Sequence, residues 1–303
     1  MRGVRKPNFF IIGAPKCGTT SLAAWLSEHP KIYMSPVKEP HFYNTDMKYV
    51  HVKSWKEYER LFNSVTDKHI AVGEASVWYL FSQVAVPRIE RELSDVKYIV
   101  MIRNPVDMAY SLHEQLVVAG NEHIKDFMKA WHLSEERARG RFIGRWCRDP
   151  KILDYKSACL LGKQVERLYK NVPKERVLIL LLDEVKVNPR NEYLKVLNFL
   201  SVPDDGRIEF PVFNAAKERR YLWLRYMVMA AGRASGAMKK FFGLSGRGTG
   251  LLISIDKRNI RYRPRPPMPA EIREELVEYF REDLCLLSTL IDKDLSKWLE
   301  MRK

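Results

Sequence analysis

The sequence has no long apolar run. No stretch of its 303 residues approaches the roughly 18 uninterrupted apolar positions that a membrane helix requires, so no membrane span is expected. Cysteine is scarce: Cys17, Cys147, Cys159 and Cys285 are widely scattered. They form no C-x-x-C pair and no Cys/His cluster at zinc spacing, which argues against a redox motif or a structural zinc site. Reduced thiols in a reducing compartment fit this usage. No H-E-x-x-H or comparable spacing occurs among the seven histidines, so no metal site is expected. Internal repeats and low-complexity segments are absent. The N-terminal MRGVRKPN leads into an apolar run too short for the core of a secretory signal, and the expectation is a soluble, cytoplasmic protein. No compact nucleic-acid-binding motif is found, so nucleic acid is not an expected partner. Nothing in the sequence signals an oligomeric state.

What is present is positive charge on an ordinary globular background. Lys and Arg outnumber Asp and Glu by 52 to 37, a formal charge of +15. Such an excess favours anionic partners: nucleic acid, acidic glycans, a membrane surface or a polyanionic cofactor. With 46% apolar residues the chain is long enough for one large core, and a single domain over residues 1–303 is expected.

Short runs rich in Ile, Val and Leu read as buried parallel strands at Asn8–Ile12, Ile70–Gly73, Lys97–Ile102 and Arg176–Leu182, with a shorter extended piece at Ile32–Met34. Helical patterns lie between them at Thr20–Glu28, Val86–Leu93, Pro105–Val118, Cys159–Tyr169 and Asn191–Leu200, and a long amphipathic helix covers Glu271–Ile291. The alternation predicts an α/β fold: a P-loop-like central parallel sheet flanked by helices. Residues 120–158 and 206–265 are less regular and predict irregular helical insertions. The second includes RYLWLRYMVMAAGRASGAMKKFFG, basic and partly amphipathic, which suits a substrate lid, a membrane-surface helix, a dimer contact or an insertion packed on the core.

The stretch FFIIGAPKCGTTSL, residues 9–22, runs from a strand through Gly13 and Gly18 into a helix. Backbone N–H groups at such a turn point at an anion, and the helix dipole favours negative charge. Thr19, Thr20 and Ser21 add hydroxyl donors. A nucleoside-triphosphatase loop places lysine directly after the second glycine. Here Thr19 holds that slot, and the lysine lies inside the loop as Lys16, where it can cover a bridging or terminal phosphate oxygen. The neighbouring Cys17 is either a thiol activated by the helix start or a small residue packed under the loop. One triphosphatase lookalike exists in VLILLLDEV, where Asp183 and Glu184 follow an apolar run. It leaves a Mg²⁺-dependent P-loop kinase or NTPase as an alternative, with a non-enzymatic polyanion-binding protein as another. A second anion site is plausible where the strand Lys97–Ile102 ends at Arg103, Pro105 starts a helix and Ser111 follows about two turns on.

The loop GAPKCGTTSL resembles the 5′-phosphosulfate loop of the sulfotransferases that use 3′-phosphoadenosine 5′-phosphosulfate (PAPS). The resemblance extends to KEPHFY at Lys38–Tyr43, GEASVWY at Gly73–Tyr79, IVMIRNPVDMAYSLHEQ at Ile99–Gln115 and RYRPRPPMPAEIREELVEYF at Arg261–Phe280, in the family's order. The pattern is closer to the bacterial and heparan-sulfate-type branch than to the phenol- and steroid-modifying branch. It implies PAPS as donor, adenosine 3′,5′-bisphosphate as product and a hydroxyl or amine of a glycan, lipid-linked or small-metabolite acceptor. No metal is required where lysines and N–H groups supply the charge. Pro15, Lys16, Cys17, Gly18, Thr19, Thr20 and Ser21 would hold the 5′ end, and Arg103 and Ser111 the 3′-phosphate. Arg261, Tyr262 and Arg263 match a basic loop that closes over the phosphates, although the glycine often present there is missing.

In-line transfer needs a cation at the leaving oxygen and a base at the acceptor. Lys16 is the expected cation. The resemblance implies Glu74 as the base, projecting beyond the strand Ile70–Gly73. His41 is the rival, having the better unperturbed pKa. Lys38, Glu39 and His41 are expected to line the acceptor. His29, His51, His69, His113, His123 and His132 read as surface or packed residues.

Overall fold

In the computed structural model, residues 5–213, 217–219, 221, 223–231, 259–262 and 266–300 are described. Positions 220, 222 and 232–243 of the basic amphipathic stretch, and Arg263, lie outside the described residues. The chain divides into two compact units: Met1–Ala109, Tyr155–Phe213 and Pro269–Lys303 form one, and Tyr110–Asp154 with Asn214–Met268 form the other.

The first unit is built on five strands: β1 (Phe9–Gly13), β2 (Ile32–Met34), β3 (Ala71–Ala75), β4 (Lys97–Ile102) and β5 (Val177–Leu181). Their order is β2-β3-β1-β4-β5, and every pairing is parallel. All five expected strands are therefore present. β1 lies in the middle of the sheet, and Phe9, Phe10, Ile11 and Ile12 have no exposed surface. A parallel strand covered on both faces is apolar at every position rather than at alternate ones, and this made the run legible.

Helices flank the sheet. α1 (Thr19–Ser27) follows β1 and buries Leu22, Trp25 and Leu26. α2 (Trp55–Arg60) precedes β3, and its Ser54 cap accepts from the Glu57 N–H. α3 (Ala85–Glu92) lies between β3 and β4, and α4 (Pro105–Ala119) opens with proline, whose missing N–H costs nothing in a first turn. Helix Leu161–Asn171 begins on the carboxylate of Asp283, which accepts from the N–H groups of Gly162 at 2.7 Å and Lys163 at 2.9 Å. Asp283 belongs to the long helix Ala270–Ile291, so this cap also ties the C-terminal helix to the first unit.

The strand order places the site. The chain leaves β1 towards β2 and β3 on one side, then crosses to β4 and β5 on the other. Loops after β1 and β4 therefore part at the carboxyl edge, which is where open parallel sheets form their ligand crevice.

In the second unit, residues 110–119 of α4 are followed by short helices Phe127–His132 and Ser134–Ala138, a 3-10 turn Pro150–Leu153 and a helix over residues 223–231. An antiparallel pair, β6 (Lys217–Arg219) and β7 (Ile260–Tyr262), completes its described part. Its interior holds a buried Glu122–Arg137 pair. Both guanidinium ends reach the carboxylate, and this bidentate geometry offsets the desolvation of two charges.

Candidate active site

The loop after β1 has the conformation its sequence predicts for an anion cradle. Gly18 stands at the helix cap with φ 89°, in the left-handed region that glycine enters without penalty. A Cβ there would also approach Leu182 Cδ1 to 2.8 Å. Lys16 adopts φ 67°, uncommon for a residue with a side chain. Pro15, Cys17, Thr19 and Ser21 are buried, whereas Lys16, Gly18 and Thr20 are partly open. Ser21 is already engaged: its Oγ accepts from the Phe213 N–H at 3.0 Å, which leaves its proton to donate. No sequence signal brought residue 213 to this helix.

Cys17 packs under the loop. Its thiol lies 3.9 Å from the Met108 sulfur, and burial pushes its pKa up to about 12 against the nearby charges of Arg103 and Lys16. It is not an activated thiol.

Arg103, just past β4, comes back to this loop. Its guanidinium donates to the Lys16 carbonyl at 3.3 Å and lies 3.8 Å from Asp107. Asp107 also pairs with Arg273 of the C-terminal helix at 2.8 Å. Two guanidinium groups thus share one carboxylate, leaving a net positive charge beside the loop. Arg273 was not anticipated. Its only sequence signal is membership of a helix that carries many charges. Ser111 is buried in α4.

The residues expected on the acceptor side show the largest departure from expectation. Glu74 is inside β3, in register with Phe10, and does not project beyond a strand end. It has no exposed surface. Its Oε1 accepts from Ser76 Oγ at 2.6 Å, and its Oε2 accepts from Tyr58 at 2.6 Å and Tyr79 at 3.4 Å. Burial raises its pKa and the three hydroxyls oppose the rise, which leaves it at about 7. The strand runs two residues further than the apolar run suggested, and the Glu74 carboxyl is hydrogen-bonded by hydroxyls rather than by solvent. Gly73 before it has a packing reason: a Cβ would fall 2.1 Å from the Phe9 ring.

Lys38, Glu39 and His41 are together. Glu39 Oε1 accepts from Lys38 Nζ at 2.7 Å, and its Oε2 lies 3.1 Å from His41 Nε2. The Glu39 side chain keeps 25% of its surface exposed, whereas that of His41 has none. Burial would raise the Glu39 pKa, but the hydrogen bond from His41 and the charge of Lys38 outweigh it and hold the carboxyl at about 2. Burial pushes His41 below its ordinary value. A neutral His41 donating from Nε2 to Glu39 leaves a lone pair on Nδ1, and this buried atom has no hydrogen-bond partner. Glu39 and His41 both have left-handed backbones, with φ 61° and 50°. Two such residues in three positions are held only where surroundings impose them.

Asp183 starts helix Leu182–Val187 and accepts from the Trp298 indole N–H at 3.1 Å. This is a polar helix start with a structural partner. Of the basic segment, Arg261 lies in β7 of the second unit and is exposed. His29 and His113 are buried and bonded to main-chain carbonyls of Pro203 and Ile124.

A strand–loop–helix turn at the switch point of a parallel sheet defines a P-loop-like fold. The match to known proteins narrows the class. The model of the sulfotransferase domain matches residues 6–228, and the chain belongs to that family. The crystal structure of a sulfotransferase from Alicyclobacillus acidocaldarius is 28% identical and superposes with a TM-score of 0.73, covering 98% of this chain and 100% of that one. The mouse heparan sulfate glucosamine 3-O-sulfotransferase 5 is 25% identical over 229 residues, 74% of this chain and 61% of that protein. The membrane-associated sulfotransferase kil1 of Dictyostelium discoideum is 33% identical over 107 residues, 35% of this chain and 22% of that protein. The chain thus spans less than two thirds of the length of these two curated relatives. Among the described residues, no helix is long and apolar enough to cross a membrane.

Proposed function

We propose that this protein transfers a sulfuryl group from PAPS to a hydroxyl or amine of an acceptor and releases adenosine 3′,5′-bisphosphate. The observation that carries the reading is the loop itself, with Lys16 inside the cradle and Arg103 drawn against its main chain. In the reaction, the bond from sulfur to the 5′-phosphate oxygen breaks, a bond to the acceptor oxygen or nitrogen forms, and the acceptor proton passes to a base. Residues Pro15–Ser21 hold the 5′ end, and Lys16 meets the charge that develops on the leaving oxygen. Arg103 holds the 3′-phosphate, with Ser111 about two turns into the helix α4 that follows it. Fixed N–H groups and these cations supply the charge, so the proposal routes no step through a metal.

For the base, burial and solvent access favour a reassignment. Glu74 is enclosed, whereas Glu39 is partly exposed and bonded to His41. The Glu39–His41 pair is therefore proposed to take the proton, with Lys38 holding the Glu39 carboxylate. This keeps His41 in the role expected of it and moves Glu74 out of it. The acceptor is proposed to be a glycan or a hydroxylated metabolite, in line with the heparan sulfate relatives. We place the reaction in the cytoplasm, within one sulfotransferase domain over residues 1–303, with membrane-surface association open to the basic face.

The test is to incubate the protein with PAPS and a panel of desulfated glycans and phenolic alcohols, and to follow adenosine 3′,5′-bisphosphate by chromatography. Acceptor-dependent release that persists in EDTA and disappears in Lys16→Ala supports the proposal. No acceptor-dependent release from PAPS, with ADP formed instead from ATP and Mg²⁺, refutes it.

A further inference from the structure

β3 and the turn after it carry the loop that presents Glu39 and His41. The Ser35 N–H donates to the Gly73 carbonyl at 2.8 Å and the Glu39 N–H to the Ala75 carbonyl at 2.9 Å. Beyond Glu39 the loop leaves the strand, and its amides turn to side chains instead. The His41 N–H donates to Ser76 Oγ at 3.2 Å. The Phe42 and Tyr43 N–H groups both donate to the Tyr79 hydroxyl, at 2.9 and 3.2 Å. Each of these hydroxyls in turn reaches Glu74, Ser76 on Oε1 and Tyr79 on Oε2.

We infer that Glu74 is a positioning residue: as an acceptor of the Ser76 and Tyr79 protons, it turns both hydroxyl oxygens towards the amides of His41, Phe42 and Tyr43 and so fixes the Glu39–His41 pair at the acceptor. The reason is the hydroxyl inventory. A serine or tyrosine hydroxyl has one proton to give, and its oxygen accepts. Above its pKa of about 7 Glu74 is a carboxylate that only accepts, which commits that proton and leaves the oxygen facing the loop amides. In a chain of this kind each bond polarises the next. The third hydroxyl, from Tyr58 of α2, fills the remaining side of Oε2, and no other residue bonds the carboxylate among the described residues. The chain accounts for the two left-handed residues. Glu39 and His41 flank Pro40, and their N–H groups are fixed at the Ala75 carbonyl and at Ser76, which over-determines the backbone between. The inference rests on the sulfotransferase proposal only in taking Glu39 and His41 as facing the acceptor.

Residue-resolved amide hydrogen exchange on the full chain tests it. Glu74→Gln keeps the volume but supplies a donor where the chain needs an acceptor. It should speed exchange at His41, Phe42 and Tyr43 by about tenfold or more, with amides 16–21 unchanged. Ser76→Ala should affect His41 alone, Ser76→Thr should restore it, and Tyr79→Phe should affect Phe42 and Tyr43 alone. Unchanged exchange in Glu74→Gln overturns the inference. So does a uniform rise across β3, which marks general loosening. Titration of the same samples with adenosine 3′,5′-bisphosphate separates the two ideas. Binding retained by all variants leaves the donor site intact whatever the loop does. No binding even by the unaltered chain counts against the sulfotransferase reading alone.

Discussion

The proposed donor loop and acceptor loop follow β1 and β2, the two strands that flank β3 in one sheet, but are made in different ways. Residues 13–21 are shaped by their own sequence: two glycines, a lysine in the left-handed region and a helix start. Residues 38–44 have no glycine and take their shape from β3 and its following turn, some 35 positions later, through Ser76 and Tyr79. The donor is a fixed molecule that a local, main-chain cradle can hold. The acceptor side depends on remote side chains, which can be exchanged while the cradle stays.

Four substitutions or conditions bear on that contrast. Lys16→Ala should have the largest effect, about 10²–10³-fold on transfer, because the cation meets charge that develops in the transition state. Activity measured beside a thermal melt checks it, and the melting temperature should hardly move. If the fold melts as well, the donor loop is not the self-contained cradle described here.

Glu74 should govern the pH dependence of stability. Its pKa rises from 4.5 to about 7 on folding, so between those values the folded chain holds a proton that the unfolded chain has lost. Its contribution is complete below 4.5 and is lost as pH rises through about 7. The loss is on the order of 3 kcal/mol. Urea unfolding across this window should show the decline in the unaltered chain and a flatter profile in Glu74→Gln.

Glu39→Gln should lower kcat by about 10²-fold while adenosine 3′,5′-bisphosphate binds as before. Weakened nucleotide binding in this variant would erase the distinction between the two loops. Ser21→Ala should have the smallest effect. It removes the acceptor of the Phe213 N–H, costing about 1 kcal/mol, with a modest loss of donor affinity. Denaturant midpoints and a nucleotide titration measure both.

The same contrast explains what could be read from the sequence. β1 and β4 were legible because a strand buried on both faces is apolar throughout, and the loop after β1 because its glycines and lysine are contiguous. Arg103 was legible as the charge that ends an apolar strand. Glu74 was misplaced for the converse reason. A carboxylate after an apolar run reads as the end of the strand, and only the hydroxyls of Tyr58, Ser76 and Tyr79 allow it to stay inside. Glu39 was assigned to the acceptor but not to the proton, since its exposure and its His41 partner depend on how residues 38–44 are folded. The contacts of Arg273 with Asp107 and of Phe213 with Ser21 join positions more than 160 residues apart, and no local pattern encodes them.

The most direct measurement of the central claim is calorimetric titration with adenosine 3′,5′-bisphosphate in EDTA, set against ATP with Mg²⁺. The account predicts tight metal-free binding of the bisphosphate. Lys16→Ala should abolish it, and Arg103→Gln should reduce it to the affinity of adenosine 5′-monophosphate. Binding of ATP with Mg²⁺ alone, unaffected by Arg103→Gln, would contradict it.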